Sequence, residues 1–314
     1  MRTGDSAMTI RQSSSRLTSR FFFLTFALAP FLAAVGITTG TAADKLDVLR
    51  IGTSGELTGQ THGPREKAGL ETLHKYIKEE DGMDNEILSQ KDWQELTDQM
   101  AKGKLQLGVF QGYEFAWAQQ KNPELKPLAI AINVNRYPVA HLVVKRDNAA
   151  KDFAGLQGQS LALPATGEGS LRLFVDRQSE VDGKTAKTFF SKVTTPDNVE
   201  EALDSLVDGK VQVVAVIRAA LEAYKGRKPG RFKQLKEVAH SQPFPPVVVA
   251  YYGSVLDEGT REQFKTGMMN ATNNEKGQTL LTLFHLTGFE AVPEDFDKVL
   301  AAAVKDYPPK DKAK

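Results

Sequence analysis

The chain has 314 residues, 41% hydrophobic and 25% charged, with a formal net charge of +1 and no cysteine. That balance is ordinary for a globular protein, and the length suffices for two lobes of usual domain size. A nearly neutral chain gives no electrostatic footprint for nucleic acid; the missing thiol excludes disulfides, thiolate metal sites, a cysteine nucleophile and a lipid-modified cysteine.

Residues 1–43 have the pattern of a secretory signal peptide. Arg16 and Arg20 precede an apolar run from Phe21 to Gly36, and small residues follow at Thr41, Ala42 and Ala43. The run is shorter than the roughly 20 residues a spanning helix needs, so cleavage after Ala43 is expected rather than a retained anchor. Cleavage removes four Arg and one Asp, which moves the net charge to −2. With no lipid anchor and no second apolar run, the product is expected free in the periplasm of a bacterium with two membranes.

Val48–Gly52 reads as a first strand, followed by a loop over 53–63 and a helix opened by Pro64, with Leu70, Leu73 and Ile77 on one face. A second strand is expected near 86–88. Asp92 and Glu95 have capping-box spacing ahead of a helix carrying Leu96 and Met100. Gly103 ends that helix, and the next strand runs to Phe110 with Gln111, Gly112 and Tyr113 at its end. An aromatic-rich helix follows, then strands at Leu128–Ile132 and Val139–Val144.

The second half repeats this order. Leu161–Leu163 is a strand, Ala165–Glu168 a glycine-bearing turn, and Leu171, Phe174 and Val175 follow at helical spacing. Asp197 and Glu200 form a second capping-box pattern before Ala202, Leu203, Leu206 and Val207; Gly209 ends this helix and a strand follows to Val216. After a proline-rich turn comes the strand Val247–Tyr252, then helices over 257–274, 276–286 and 293–305.

Ser54-Gly55-Glu56 matches Thr166-Gly167-Glu168 at an offset of 112, and Gly103–Leu107 matches Gly209–Val213 at an offset of 106. Two matched signals in one order predict two lobes of the same build. The α/β alternation predicts a mostly parallel sheet in each lobe, flanked by helices. Lobe 1 is expected to comprise 44–140 and 250–314, and lobe 2 141–249. Val139–Val144 and Val247–Tyr252 are the expected crossing strands of a hinge.

Ligands of such sheets sit beyond the carboxyl ends of the strands. Those ends supply Thr53, Ser54 and Glu56; Gln111 and Tyr113; Thr166, Gly167, Glu168 and Ser170; and Arg218. Uncovered N–H groups at the helix starts there suit an anion, although Thr166 or Ser170 equally suits an ordinary cap. Glu168 complicates the picture. Two negative charges about 5 Å apart repel by roughly 3 kcal/mol at an effective dielectric near 20, more than the roughly 0.3–1 kcal/mol a helix end returns. Glu168 therefore either pairs with Arg172 at i,i+4 or, with Glu56, receives the ammonium of a zwitterion. Arg218 either clamps an anion bidentately or opens a helix in solvent. His62 reads as an exposed loop residue and His141 as a satisfied near-core group, while Arg136 and Tyr137 precede a crossing strand and are further candidates for the cleft.

Nothing in the sequence has the form of a serine elbow, a zinc-protease motif or a phosphate-binding Walker loop, and the five histidines lack metal-ligand spacing. No enzyme, metal or cofactor is expected, the best case for catalysis being an acid/base pair of Glu56 and Glu168.

Phe153–Leu163, Gly103–Tyr113 and Leu281–Phe289 carry a resemblance. Over about residues 46–305 the chain resembles the type II periplasmic binding proteins, specifically the phosphonate-binding group of ABC importers. The resemblance implies two α/β lobes joined by two crossing strands, closing over a small anion or zwitterion that is delivered to an inner-membrane ABC permease. It implies a monomer and places Tyr113 against the ligand, where the alternative is a half-buried packing residue. A ligand-sensing protein for a membrane receptor is the second reading. The chain departs from the family in having Gln106 and Gln212 where Asp is usual. At the second-lobe helix it keeps only Thr166 and Ser170 of a Ser/Thr run.

Overall fold

The computed structural model describes residues 48–54, 64–80, 82–164, 169–180, 183–253 and 255–310. All of them fall in one compact unit, Ala43–Lys314. The expected signal peptide lies outside the described residues.

The first stretch supplies β1 (Val48–Ser54), α1 (Pro64–Glu80), β2 (Asp84–Gln90), α2 (Trp93–Ala101), β3 (Leu107–Phe110), α3 (Gly112–Lys121) and β4 (Leu125–Ile132). The second supplies β5 (Ala140–Lys145), β6 (Ser160–Ala162), α4 (Gly169–Ser179), α5 (Ala186–Phe189), β7 (Lys192–Thr194), α6 (Val199–Val207), β8 (Val213–Ile217), α7 (Arg218–Arg227), α8 (Pro229–Phe232) and β9 (Leu235–His240). The chain then returns through β10 (Val247–Tyr252), α9 (Glu258–Met269), α10 (Glu275–Leu283), β11 (Gly288–Glu290) and α11 (Phe296–Asp306). Among the described residues the strands form two sheets, ordered β11-β4-β10-β3-β1-β2 and β7-β6-β8-β5-β9.

Both sheets are mixed rather than mostly parallel. Pairing is parallel within β2-β1-β3 and β7-β6-β8, where helices make the crossovers, and antiparallel elsewhere. The antiparallel part has a simple cause: β10 and β5 each enter from the other sheet, without a helical crossover to restore direction. These are the two strands expected as crossings, and each lies inside one sheet. The passages themselves are 133–139 and 241–246, directly ahead of them. Pro138, Pro243, Pro245 and Pro246 lack the N–H that a ladder requires.

The internal repeat recurs bond for bond. Gly103 and Gly209 end α2 and α6 with φ of +69° and +75°. The next amides, of Lys104 and Lys210, reach back five residues to Gln99 O at 3.0 Å and Ser205 O at 2.9 Å, the six-to-one bond of a Schellman turn. Gln106 Oε1 then accepts the Arg50 amide at 2.8 Å, and Gln212 Oε1 the Ser160 amide at 2.9 Å. The two glutamines that depart from the family pattern thus tie the approach to β3 to β1 and the approach to β8 to β6.

Asp92 caps α2 by accepting from the Glu95 amide at 2.9 Å. In the second half the cap falls one residue later than its capping-box pattern suggests. Asn198, not Asp197, accepts from the Glu201 amide at 2.7 Å. Near the end of the chain, the helix expected over 257–274 stops at Met269 and gives way to a 3-10 turn, Asn270–Asn273. Gly288–Glu290 adds an edge strand beside β4 that the sequence pattern does not announce.

One apolar cluster runs through both sheets. It includes Leu96, Phe110 and Phe115 on the first side, and Leu142, Leu161 and Phe174 on the second; Phe244 of the second passage is among its members. Phe244 is fully buried, with Tyr307 at 4.6 Å and Tyr113 at 6.4 Å between ring centroids. The passages are also bonded to each other. The Phe244 amide donates to Pro138 O at 2.8 Å, the Ser241 amide to Ala140 O at 2.9 Å, and the Ala140 amide to Ser241 Oγ at 2.9 Å. Beyond α11 the chain touches both lobes: Trp117 Nε1 donates to Tyr307 O at 2.7 Å, and Arg177 donates to Pro308 O.

Candidate functional site

β3 ends at Phe110, and Gln111 becomes the N-cap of the ten-residue helix α3 without using its side chain as a cap. α3 can start there because Gly112 has no Cβ; one would stand 2.1 Å from Pro245 O and 2.3 Å from Pro246 O in the second passage. In the other lobe the eleven-residue helix α4 begins at Gly169, with Ser170 buried in its first turn. Gln111 and Ser170 line one cavity, walled also by Asn133, Asn135, Pro245 and Val247. Two helix N-terminal ends, one from each lobe, therefore meet between the passages.

The cavity has a volume of about 30 Å³. That is room for a water molecule or two, so a tetrahedral oxyanion enters only if the lobes part slightly. Its walls, as described, carry amides and a hydroxyl but no formal charge. Attraction for an anion must then come from the helix ends and from hydrogen bonds. A bond to a charged group contributes about 1.5–3 kcal/mol against about 0.3–1 kcal/mol for a helix end, so the side-chain donors dominate.

The other expected site residues divide into several groups. Ser54 is fully buried and donates to Glu114 Oε2 at 2.6 Å. Thr53 points to the opposite face of the sheet, where its buried Oγ1 has no hydrogen-bond partner among the described residues. Tyr113 is buried in α3, its ring edge-on to Trp117 at 4.9 Å. Arg218 opens α7 from an exposed position; its amide donates to Val139 O at 3.0 Å, and it is not part of the cavity wall. Arg136 pairs with Glu290 at 2.5 Å. Glu56, Thr166, Gly167, Glu168 and His62 lie outside the described residues, and with them the zwitterion and acid/base readings of Glu56 and Glu168.

The family described as ABC transporter, phosphonate, periplasmic substrate-binding protein matches residues 61–296. The chain belongs to that family. As a phosphonate-binding-family protein it is a substrate-binding component of an ABC transporter, and its fold is the two-lobed type II periplasmic binding fold. PhnD1 from Prochlorococcus marinus, solved in complex with methylphosphonate, is 14% identical with a TM-score of 0.56, over 82% of this chain and 97% of that one. A binding-protein component of an ABC phosphonate transporter from Pseudomonas aeruginosa is 13% identical with a TM-score of 0.53, over 82% and 85%. A protein from Xanthomonas citri solved with ATP is 16% identical with a TM-score of 0.56, over 83% and 97%. At such identities the likeness concerns the fold. No curated protein sequence matches this one. Among the described residues no helix is long and apolar enough to cross a membrane.

Asn133, Asn135 and Glu114 stand at or beside this cavity without having been singled out in the sequence. The two asparagines flank Val134, which holds a left-handed φ of 59°, a tight reversal in the first passage. A β-branched residue in that conformation is strained. The available signal for Glu114 is its register, one turn into α3 and three residues after the cap.

At the same end of the second sheet, the Glu237 carboxylate bridges His141 Nδ1 at 2.6 Å and His240 Nδ1 at 2.7 Å. Burial pushes the His141 pKa down against the pull of Glu237, and the nearby Arg218 and His240 add to the lowering. Burial raises Glu237, but its bonds from His141 and His240 bring it below the ordinary carboxylate value. His141 is thus the satisfied near-core group expected at Nδ1, while its Nε2 is buried without a partner among the described residues.

Proposed function

We propose that this chain binds a small oxyanion of the phosphonate or phosphate kind between its lobes and delivers it to the permease of an ABC importer. The observation that carries this reading is that Gln111 and Ser170, each at the start of a helix from a different lobe, line one cavity. Convergent helix N-termini with neutral donors suit an anion better than a cation. The family match and the solved complex of PhnD1 with methylphosphonate support the same ligand class.

The reading extends to the rest of the molecule. Export with cleavage after Ala43, no lipid anchor and a freely diffusing monomer in the periplasm complete the proposal, with stoichiometric binding and no turnover. The lobes would exchange the chain at the two passages.

Thermal shift of the exported chain against phosphonates, phosphite, phosphate, sulfonates and amino acids tests it. At 100 times the dissociation constant, a true ligand adds about 2.7 kcal/mol to stability. A shift with phosphonate or phosphate is the expected result; no shift with any oxyanion would remove the assignment.

A further inference from the structure

The small polar cavity shares part of its wall with another. Ala131, Val247 and Leu286 wall it and also wall a second, larger cavity on the α1 side of the first sheet. That cavity has a volume of about 180 Å³ and lies between the sheet and α1, α9 and α10, among side chains such as Leu73, Phe264 and Met268. It exceeds the roughly 150 Å³ of an apolar cavity that stays dry and admits benzene. A void of this kind, left empty, costs stability in proportion to its volume.

Two groups in this hydrocarbon wall are polar. The Tyr76 hydroxyl is committed to Gly267 O at 2.9 Å. Thr53 Oγ1 is buried, with the residue 7% exposed, and has no partner among the described residues. The polar vestibule and the apolar chamber thus adjoin through shared walls, one lined by neutral hydrogen-bonding groups and the other by hydrocarbon.

We propose that the solute is an oxyanion bearing an alkyl chain, such as an alkylphosphonate of about four to seven carbons, with its head at Gln111 and Ser170 and its chain in the chamber past Val247 and Leu286. This rests on the oxyanion reading of the site and names its substrate class. Transfer of each methylene from water into an apolar site tightens binding about fourfold.

Isothermal titration of the exported chain with methyl-, butyl-, hexyl- and decylphosphonate tests it. Affinity is expected to rise about fourfold per methylene up to the length the chamber holds, then to level off. Leu73→Trp, which fills the chamber from a half-buried position, is expected to abolish the length dependence and leave methylphosphonate affinity unchanged. Leu73→Phe repeats the test if the tryptophan variant does not fold. Methylphosphonate binding with affinity flat or falling along the series would overturn the chain inference and leave the oxyanion reading standing. Absence of binding at every length would overturn the oxyanion reading itself. Binding of hexane without any phosphonate binding would overturn both.

Discussion

Gly112 and Pro245 approach so closely that a Cβ on the glycine would stand 2.1 Å from the proline carbonyl oxygen. Pro245 walls the cavity between the lobes, as does Gln111 next to Gly112, so the start of α3 is positioned by the second passage. Gly112→Ala is expected to push them apart. Overpacking of this kind costs about 1–3 kcal/mol, or several degrees of Tm in a chain of this size. Thermal denaturation checks it, and an unchanged Tm would mean the passage yields freely.

Gln111 and Ser170 should carry the head group. Removing a hydrogen bond to a charged ligand costs about 1.5–3 kcal/mol, which is about ten- to a hundredfold in Kd. Gln111→Ala and Ser170→Ala are each expected to weaken methylphosphonate binding by that factor, measured by titration. Arg218→Ala, away from the cavity, is expected to leave it within about twofold.

The paired glutamines offer a comparison within one molecule. Gln106 is buried and Gln212 is exposed, yet each accepts one backbone amide of the neighbouring strand. Gln106→Ala leaves that amide unpaired away from water, for about 1–3 kcal/mol. At Gln212→Ala water takes over, and a cost of about 0.5 kcal/mol is expected. Equal losses in denaturant unfolding would contradict the difference in burial.

Stability should fall toward acid and toward strong base. The lowered His141 pKa means that the unfolded state takes up a proton first as pH drops below about 6.5, so stability is lost through the window beneath that value. Glu237, also lowered, adds a second loss below about 4.5. On the alkaline side, burial and the nearby Asp306 raise Tyr307 to about 12, so its contribution is intact below about 10 and lost as pH climbs through the folded value. Tm measured across pH should show these shoulders, and His141→Gln should flatten the one just below 6.5.

Much of this architecture is legible in the sequence because the same local chemistry occurs twice. Gly103 and Gly209 need a left-handed φ, and Gln106 and Gln212 follow them at equal spacing, so the repeat survives even where the rest of the two halves has diverged. Strand direction is not legible in this way. β5 and β10 have apolar runs that suit either orientation, and their direction depends on where the chain has come from. The site divides similarly. Gln111 and Ser170 stand at strand-to-helix junctions, which periodicity locates. Asn133 and Asn135 sit on a passage with no period to betray them, and the buried chamber beside Thr53 depends on how α1, α9 and α10 settle on the sheet.

Tyr307 and Pro308 lie across the seam between the lobes, the first held by Trp117 and the second by Arg177. A fluorophore attached at Lys310, which pairs with Glu180, would sit beside contacts that relative lobe rotation alters. Lys310 is then an attachment point for an optical sensor of the protein's own cargo, and a bulky group placed there would bias the measurement it was added to enable.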